Sequence, residues 1–297
     1  MTTPPPEPVP CQRWIEKRPR YRPSGEQIRP SEYGVDGIVS DKTAREFIQK
    51  HHYSHSMNAA RFKVGLYRRG PIGHRLVGVA VFSEPVQRAS LSHWCGITDR
   101  AQGIELGRFV LLDEIPGMGE TWFLARAFKL LRQHKPEIRA ILSYSDPLRR
   151  VDASGRVTTP GHVGIIYQAH NGRYLGRASR RNLWVDRDQR TIQDRTLQKI
   201  RDQEPGCVSA ERDLITLGAE PRRFGEDPRV WLDRVLVPPA FFRLKHPGNH
   251  TYAWALDPKL VLPHALQPYP RKSVDPEVRH SPPDVLHPRL RGATSPP

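Results

Sequence analysis

The chain has 297 residues, and 37% of them are hydrophobic, which is enough for one sizeable buried core. Its 47 basic and 31 acidic residues give a formal net charge of +16, which favours polyanionic partners such as nucleic acid; an ordinary soluble basic surface is the alternative. No stretch approaches the roughly 20 apolar residues of a membrane span, and Cys11, Cys95 and Cys207 lie too far apart to indicate a disulfide framework or a zinc finger.

Proline and charge concentrate at both ends of the sequence, whereas the apolar residues concentrate between about Ile38 and Leu260. We therefore predict a basic, proline-rich arm over residues 1–33, one folded domain over residues 34–262 and a proline-rich tail over residues 263–297, with both tails disordered. The arm is either a lead-in that contacts a DNA backbone or a solvated tail. The first residues contain no apolar signal core, so we expect a cytoplasmic location.

The segment SDKTAREFIQKHHY predicts a short amphipathic helix that ends in histidines. Ser40 or Asp41 is a candidate N-cap, and apolar residues recur at helical intervals after it. His51 and His55 are separated by about one helical turn, a spacing that suits a metal ligand pair, although histidines at the polar end of a surface helix are the plainer interpretation.

Two runs rich in β-forming residues follow, RFKVGLYRRG and RLVGVAVFSEP, and turn-forming residues separate them. They predict an antiparallel pair of strands. The next region, from Val86 to Gly103, is polar and irregular and indicates a long functional loop.

Residues 104–131 predict a buried strand, a tight glycine-bearing connection and an amphipathic helix, a unit that offers helix N-terminal N–H groups to an anion. In the strand, Glu105 and Arg108 should face opposite ways unless a bulge lies at Gly107. In the helix, apolar residues recur at i, i+3, i+4 and i+7, which indicates packing against the core.

The rest of the folded region also alternates between strands and helices. IRAILSYSDP predicts a strand that ends at Asp146-Pro147, with Ser143 and Ser145 on one face. HVGIIYQAHNGRYLGRAS predicts a short helix around residues 165–169 and then a strand, and LWVDRDQRTIQDRTLQKI predicts a strand followed by a basic helix. The segments VWLDRVLVPPAFFRLKHP and HTYAWAL predict a final hairpin.

This order of elements resembles the GNAT acyl-CoA transferase fold, an α/β (α+β) architecture with a mixed, splayed central sheet flanked by helices. Four segments in order, EFIQKHHYSHS, ELGRFVLLDE followed by ETWFLARAFKLL, SYSDP, and GIIYQAHNGRYLGR, resemble the phage Mom family of DNA-modification proteins. The match covers roughly residues 38–200, and LKHPGNHTYAWAL resembles the closing segment of the same family.

The resemblance implies a transferase that converts adenine in double-stranded DNA to its N6-carbamoylmethyl form and so shields phage DNA from host restriction. It implies acetyl-CoA as cofactor, with iron also implicated. Adenine's amine is engaged in base pairing, so we expect the enzyme to flip the base into a pocket. The sequence identifies neither the source of the second nitrogen nor an oligomeric state.

Charged groups on otherwise apolar strands of one sheet are seldom there for packing, so Arg108 and Asp146 are the first catalytic candidates; a buried structural ion pair is the alternative. Tyr167 lies where GNAT enzymes keep a tyrosine near the departing thiol, which suits a general acid, although a core tyrosine is equally compatible with its position. The resemblance implies a catalytic set of His52, Tyr53, Arg108, Asp146 and Tyr167.

The predicted cofactor-binding residues are Val110, Leu111, Gly117, Gly119, Glu120, Thr121, Ser143 and Ser145, and the predicted metal ligands are His51, His52, Tyr53 and His55. GNAT enzymes usually bind pyrophosphate with a basic residue followed by glycines. Here the connection has no basic residue and places Glu120 where it would repel an anion. Acetyl-CoA is therefore implied by the resemblance and not by this loop.

Two other functions fit the same sequence. A conventional GNAT N-acetyltransferase would act on a protein, an RNA or a small amine and leave deoxyadenosine unaltered. A noncatalytic basic DNA-binding protein would bind DNA in a salt-dependent way even without Arg108, Asp146 and Tyr167.

Overall fold

The computed structural model describes residues 10–15, 18–23, 26–85, 87, 89–152, 154–155 and 157–271. They form two compact units, one built from the chain up to Arg180 and the segment that starts at Pro247, and the other from Arg181–His246. The strands are β1 (Pro10–Ile15), β2 (Arg18–Pro23), β3 (Tyr33–Gly37), β4 (Ala60–Gly70), β5 (Gly73–Ser83), β6 (Gly103–Leu111), β7 (Ala140–Ser145), β8 (Arg150–Val151), β9 (Val157–Thr159), β10 (Arg173–Arg177), β11 (Arg181–Asp186), β12 (Thr191–Ile192), β13 (Phe241–His246) and β14 (His250–Ala255). The α-helices are α1 (Asp41–His51), α2 (Ser90–Cys95), α3 (Gly119–His134), α4 (Ile165–Ala169), α5 (Asp194–Arg201), α6 (Cys207–Thr216) and α7 (Pro228–Val235).

The first unit is organised around a seven-stranded sheet in the order β10-β14-β7-β6-β5-β4-β3. Within the described part of this sheet, β6 and β7 are the parallel pair and the other neighbours are antiparallel. The parallel register runs only from Gly103 opposite Ala140 to Glu105 opposite Leu142, after which the two strands separate. The predicted α+β class, with a mixed and splayed central sheet flanked by helices, is confirmed.

Helices cover both faces of this sheet, and the spacing of apolar residues in each helix explains which side packs against the strands. On α3, the apolar stripe that includes Leu124 and Leu131 is buried in one cluster with Phe82 of β5 and Ile104 of β6. On α1, Ala44 and Ile48 are buried with strand residues of the opposite face. Burial of a leucine or isoleucine side chain such as Leu124, Leu131 or Ile48 contributes about 1.5–3 kcal/mol, so these stripes hold the two helical layers on the sheet.

The local signals for α1 are confirmed. The side chain of Ser40 accepts a hydrogen bond from the backbone N–H of Thr43 and so caps the helix. The predicted β4–β5 pair is also present, as are the short helix α4 and the strand that follows it. Asn171, at the predicted break between them, has a positive φ of 57°, which an asparagine tolerates better than most residues.

The predicted final hairpin is wrong. β13 pairs with β11, whereas β14 pairs with β7 and β10, so the two segments belong to different sheets. The segment VWLDRV is part of α7, which Asp227 caps and Pro228 begins. Between β13 and β14, Gly248 has φ +93°, and a Cβ on it would lie 1.8 Å from the carbonyl oxygen of Ala178. The chain redirects there through a conformation that only glycine fits.

Two other segments differ from expectation. The region predicted as a long irregular loop contains α2. In the predicted arm, β1 and β2 pair with each other in an antiparallel hairpin. Residues 1–9 of the arm and residues 272–297 of the predicted C-terminal tail lie outside the described residues.

The second unit has its own core. An antiparallel sheet in the order β12-β11-β13 packs with α5, α6 and α7 around the buried side chains of Ile200, Leu214, Trp231 and Phe241. The predicted strand and basic helix of this region are β11 and α5. No helix among the described residues of either unit is long and apolar enough to cross a membrane.

Candidate active site

A β-bulge sets the geometry of the central strand. Val81 of β5 pairs with Arg108 and the next residue, Phe82, pairs with Leu106, so Gly107 is the extra residue of β6. One extra residue shifts the alternation of side chains by one position, and Glu105 and Arg108 therefore emerge on the same face. Strand alternation alone predicted opposite faces for these two residues, and the structure contains the bulge at Gly107 that was named as the exception.

Gly107 is sterically required at this bulge. A Cβ on Gly107 would lie 2.5 Å from the hydroxyl oxygen of Ser83, which is shorter than any normal contact. Ser83 is fully buried and its hydroxyl has no hydrogen-bond partner among the described residues. A carboxylate oxygen of Glu105 would lie 3.7 Å from the same Cβ, so this carboxylate lies beside the bulge.

Arg108 is held in one orientation by three hydrogen bonds. Its Nε donates to the carbonyl oxygen of Ser56 at 2.6 Å, its Nη2 to the hydroxyl of Ser56 at 3.0 Å, and its Nη1 to the carbonyl oxygen of Gly107 at 2.6 Å. Burial lowers the pKa of the guanidinium, while nearby Tyr53 and the buried Glu105 act in the opposite direction. Arginine stays protonated through such shifts, so a fixed cation lies at the bulge.

Tyr167 of α4 is buried, with a 7% exposed surface, and its hydroxyl is hydrogen-bonded to Ser143 of β7. The Ser143 hydroxyl itself donates to the carbonyl oxygen of Leu106 at 3.0 Å, so it links the tyrosine to both diverging strands. Burial raises the pKa of Tyr167, with a further contribution from Glu105, and Arg108 lowers it in part. The phenol is therefore protonated at neutral pH and can donate a proton.

His52 and Tyr53 form a stacked pair just after the end of α1. Their ring centroids are 4.4 Å apart, and the Tyr53 ring lies 6.2 Å from that of His162. The pKa of His52 is well below its usual range, first because of burial and then because of Arg108. Its Nδ1 accepts the backbone N–H of Ser54 at 3.1 Å, which places the proton of the neutral ring on Nε2.

The Tyr53 hydroxyl is also uncharged at neutral pH. Burial raises its pKa, and Tyr167 and Asp146 contribute in the same direction. Arg108 acts in the opposite direction, so Tyr53 lies close enough to Arg108, Tyr167 and Asp146 for each to influence its pKa. The structure therefore groups these four predicted catalytic residues, and His52 joins them through its stack on Tyr53.

Asp146 is oriented by Arg150 rather than by Arg108. One carboxylate oxygen accepts Arg150 Nη2 at 3.0 Å, and the other accepts the backbone N–H of Leu148 at 2.9 Å. Arg150 is 9% exposed and also donates to the hydroxyl of Thr159 on β9. The structural Arg108–Asp146 ion pair, left open as an alternative, is replaced by an Asp146–Arg150 pair, and the hydrogen bonds of Arg108 go to Ser56 and Gly107.

Sequence reasoning missed Arg150 and His162. The backbone N–H of His162 donates to the carbonyl oxygen of Asp146 at 2.8 Å, and burial lowers the pKa of the His162 ring to about 4. Arg150 lies in a loop rich in Gly, Pro and Arg over residues 148–161, and His162 is the residue that follows this loop. The available signal for Arg150 was its position shortly after the candidate Asp146.

The predicted metal ligands do not fit a metal centre. The prediction assumed that the helix continues to His55, but α1 ends at His51, and His55 has φ +49° and directs Nδ1 to the carbonyl oxygen of Gln49 at 2.6 Å. His51 packs on the Phe47 ring, and His52 Nδ1 is occupied by Ser54. Among the described residues, no three His, Cys, Asp or Glu side chains cluster as a metal site. Iron is unsupported.

The connection before α3 does not offer free N–H groups to a pyrophosphate, because Glu26 already uses two of them. The backbone N–H groups of Gly117 and Met118 donate to the carboxylate and the carbonyl oxygen of Glu26, at 3.3 and 2.9 Å. The hydroxyl of Thr121 donates to the carbonyl oxygen of Met118, and Glu120 adds a carboxylate in the first helical turn. A carboxylate thus stands where an anionic cofactor would bind.

The other predicted cofactor residues separate into two groups. Val110 and Leu111 are buried on opposite faces of the sheet, in different apolar clusters. Ser143 and Ser145 lie at the diverging end of β7, near Tyr167. The hydroxyl of Ser145 is buried and has no hydrogen-bond partner among the described residues, so it is available to a ligand.

The sequence is similar to a known protein family and to a phage protein of that family. The sequence model of the Mom protein family matches residues 35–224. Methylcarbamoylase mom of Escherichia phage Mu is 27% identical over 139 residues, which are 46% of this chain and 52% of that protein. The chain therefore spans about half the length of this curated relative.

Among solved structures, a tandem GNAT protein from the clavulanic acid biosynthesis pathway, determined without AcCoA, aligns with a TM-score of 0.31 and 12% identity. The alignment covers 52% of this chain and 48% of that one. A similarity this low supports no conclusion about function.

Proposed function

The chain belongs to the Mom protein family, and from this premise we propose that it is a transferase that modifies adenine in double-stranded DNA. The proposed product is the N6-carbamoylmethyl base, acetyl-CoA is the proposed source of its two carbon atoms, and the proposed benefit is protection of phage DNA from host restriction. The name of the phage Mu relative, a methylcarbamoylase, supports the type of group transferred.

One observation carries the proposal: Arg108, Tyr167, Tyr53 and Asp146 are grouped where β6 and β7 separate, close enough for the other three to influence the pKa of Tyr53. The fixed guanidinium of Arg108 can stabilise negative charge that develops on a reacting oxygen. The protonated phenol of Tyr167 can deliver a proton to a leaving group. Asp146 is held by Arg150 as an oriented acceptor.

The stacked pair of His52 and Tyr53 supplies an uncharged aromatic surface beside these charges. A flipped adenine needs such a surface, because a base that leaves the duplex loses its stacking and regains it on side chains. Adenine's exocyclic nitrogen is a poor nucleophile, and simple attack on an acetyl thioester would give an amide. The carbamoylmethyl product instead requires a bond from N6 to the acetyl methyl carbon, for which an external two-electron oxidant must accept the electrons of the lost C–H bond. It also requires a second nitrogen nucleophile that replaces the thioester sulfur and releases the CoA thiol, and no residue is assigned to either co-reactant.

Mass spectrometry of nucleosides tests the proposal. DNA from cells that express the full chain is expected to contain deoxyadenosine heavier by one carbamoylmethyl group, and DNA from cells that express Tyr167→Phe is expected to lack it. N6-acetyl-deoxyadenosine would instead indicate a conventional acetyl transfer to DNA. Unaltered deoxyadenosine with a well-folded protein would overturn the proposal.

Acetyl-CoA binding has a separate prediction, because Glu26 occupies the N–H groups that a pyrophosphate would use. Replacing Glu26 by glutamine keeps the size of the side chain and removes its charge, so acetyl-CoA is expected to bind severalfold more tightly to Glu26→Gln. Isothermal titration measures this directly.

Glu46→Gln is the matched control for this titration, since Glu46 is an exposed acid on α1 whose ion pair is with Lys42, at 3.8 Å. Equal affinities for wild type and Glu26→Gln would mean that the cofactor phosphates bind elsewhere. If no variant and no wild-type protein shows a binding signal in the titration, acetyl-CoA is not the cofactor.

A further inference from the structure

The second unit contains a pocket of about 210 Å³ that is independent of the catalytic residues. It is lined by residues of β11, β13 and α5, namely Asn182, Leu183, Trp184, Asp194, Leu197, Arg201 and Arg243. Asp194, Leu197 and Arg201 recur at i, i+3 and i+7, so one face of α5 supplies them. The lining combines an aromatic ring, an amide and two guanidinium groups.

Arg243 is pre-positioned in this pocket. It lies directly opposite Trp184 in the antiparallel β11–β13 pair, and its guanidinium carbon is 4.8 Å from the centroid of the Trp184 ring. A guanidinium stacked on indole is held by cation–π attraction and keeps its N–H donors at the edge of the plane for a ligand. The side chain therefore loses less conformational freedom on binding an anion than a free arginine would.

The charge of the pocket arginines is not neutralised within the unit. Several arginines of this unit have acidic partners: Arg222 pairs with Glu211 at 3.2 Å and Arg234 with Glu226 at 2.8 Å, and Arg195 pairs with Glu204. Arg201 and Arg243 form no ion pair with any acid among the described residues, and neither does Lys245, which lies opposite Asn182 at the same end of the sheet.

Asp194 is the single carboxylate of the lining. It forms no ion pair with Arg201 or Arg243, so two cations face one anion and the lining keeps an excess positive charge. Such a site favours a ligand with one negative charge and oxygen acceptors, and Asp194 disfavours a second negative charge close to it.

We propose that this pocket binds a backbone phosphate of duplex DNA, with Arg243 and Arg201 as the donors. This inference rests on the proposed function, because DNA is the substrate there and carries one phosphodiester charge per nucleotide. A phosphodiester carries a single negative charge, which matches the two-to-one balance of the lining. The contact adds affinity without reading sequence.

Fluorescence anisotropy with a short labelled DNA duplex, titrated with the full chain at several salt concentrations, tests the pocket. The double variant Arg201→Ala/Arg243→Ala is expected to bind at least roughly tenfold more weakly, because two charge-assisted contacts are lost. The slope of log affinity against log salt is expected to fall in magnitude by about 0.9 for each phosphate contact removed. Asp194→Asn is expected to bind more tightly than wild type.

Arg187→Ala/Arg212→Ala is the matched control, since it also removes two positive charges and both residues are exposed arginines of the same unit that do not line the pocket. If wild type binds duplex DNA and the pocket double variant behaves like this control, the pocket assignment is wrong and the proposed function stands. If wild type shows no salt-dependent DNA binding, both the pocket assignment and the proposed function are wrong. A tighter Asp194→Asn complex cannot result from misfolding, so it keeps the test decisive if the double variant is unstable.

Discussion

Replacing Arg108 by lysine is expected to lower the rate of DNA modification by roughly 100-fold or more while the protein stays folded. Lysine keeps the positive charge, but it cannot reproduce the three hydrogen bonds that fix the guanidinium to Ser56 and Gly107. The lysine ammonium group would adopt several orientations. Stabilising the negative charge that develops in the transition state requires a hydrogen-bond donor that is already oriented. The rate of modified deoxyadenosine formation, measured beside the thermal unfolding midpoint, checks this.

Arg75→Lys is the control for that experiment. Arg75 lies near the exposed start of β5 and pairs with Glu114 at the surface, so its replacement is expected to change neither rate nor stability noticeably. If Arg108→Lys modifies DNA as fast as Arg75→Lys, then Arg108 is a structural residue of the bulge. A fall in unfolding midpoint that parallels the loss of rate would lead to the same conclusion.

The position of Arg108 illustrates what the sequence could predict. The buried strand and the amphipathic helix follow from local patterns in residues 104–131, and the structure confirms both. The bulge at Gly107 was stated only as the exception to opposite faces for Glu105 and Arg108, and the structure contains that exception. The α1 helix was equally predictable, because a capping serine and an apolar stripe are both local signals. These features depend on residues within one or two turns of each other.

The features that the sequence did not predict depend on distant contacts. Arg150 becomes a buried partner of Asp146 only because Thr159 and β9 fold back over it, and no periodicity marks that event. The metal prediction depended on where α1 ends. Because the helix stops at His51 and His55 has a positive φ, the two histidines are not one helical turn apart. The choice of strand partners for β13 and β14 is likewise non-local, which is why the hairpin prediction failed.

Gly107→Ala is expected to lower the rate of modification by roughly 100-fold and to destabilise the fold by about 1–3 kcal/mol. Gly107 does not have a positive φ, so alanine suits the backbone and the effect is steric. The new methyl group would lie 2.5 Å from the Ser83 hydroxyl. The strand must shift to relieve this contact, and the shift moves Glu105 and Arg108 together.

Ser83→Ala offers a rescue that separates this mechanism from a general loss of stability. The Ser83 hydroxyl is buried without a partner among the described residues, so its removal is expected to be nearly neutral. In the double variant Gly107→Ala/Ser83→Ala, the nearest remaining atoms around the new methyl group, on Asn58 and Glu105, are 3.6 and 3.7 Å away, which is normal packing. Both the rate and the free energy of unfolding, measured by urea denaturation, are therefore expected to recover.

Gly34→Ala provides the comparison, because Gly34 lies on β3 of the same sheet with open space around its Cα, and alanine there should be tolerated. A Gly107→Ala protein with the wild-type rate would mean that the bulge does not position the site. A double variant that regains its stability and stays inactive would mean that the Ser83 hydroxyl takes part in the reaction itself. Recovery of both quantities would show that the space between β5 and β6 at Gly107 sets the distance over which Glu105 and Arg108 act.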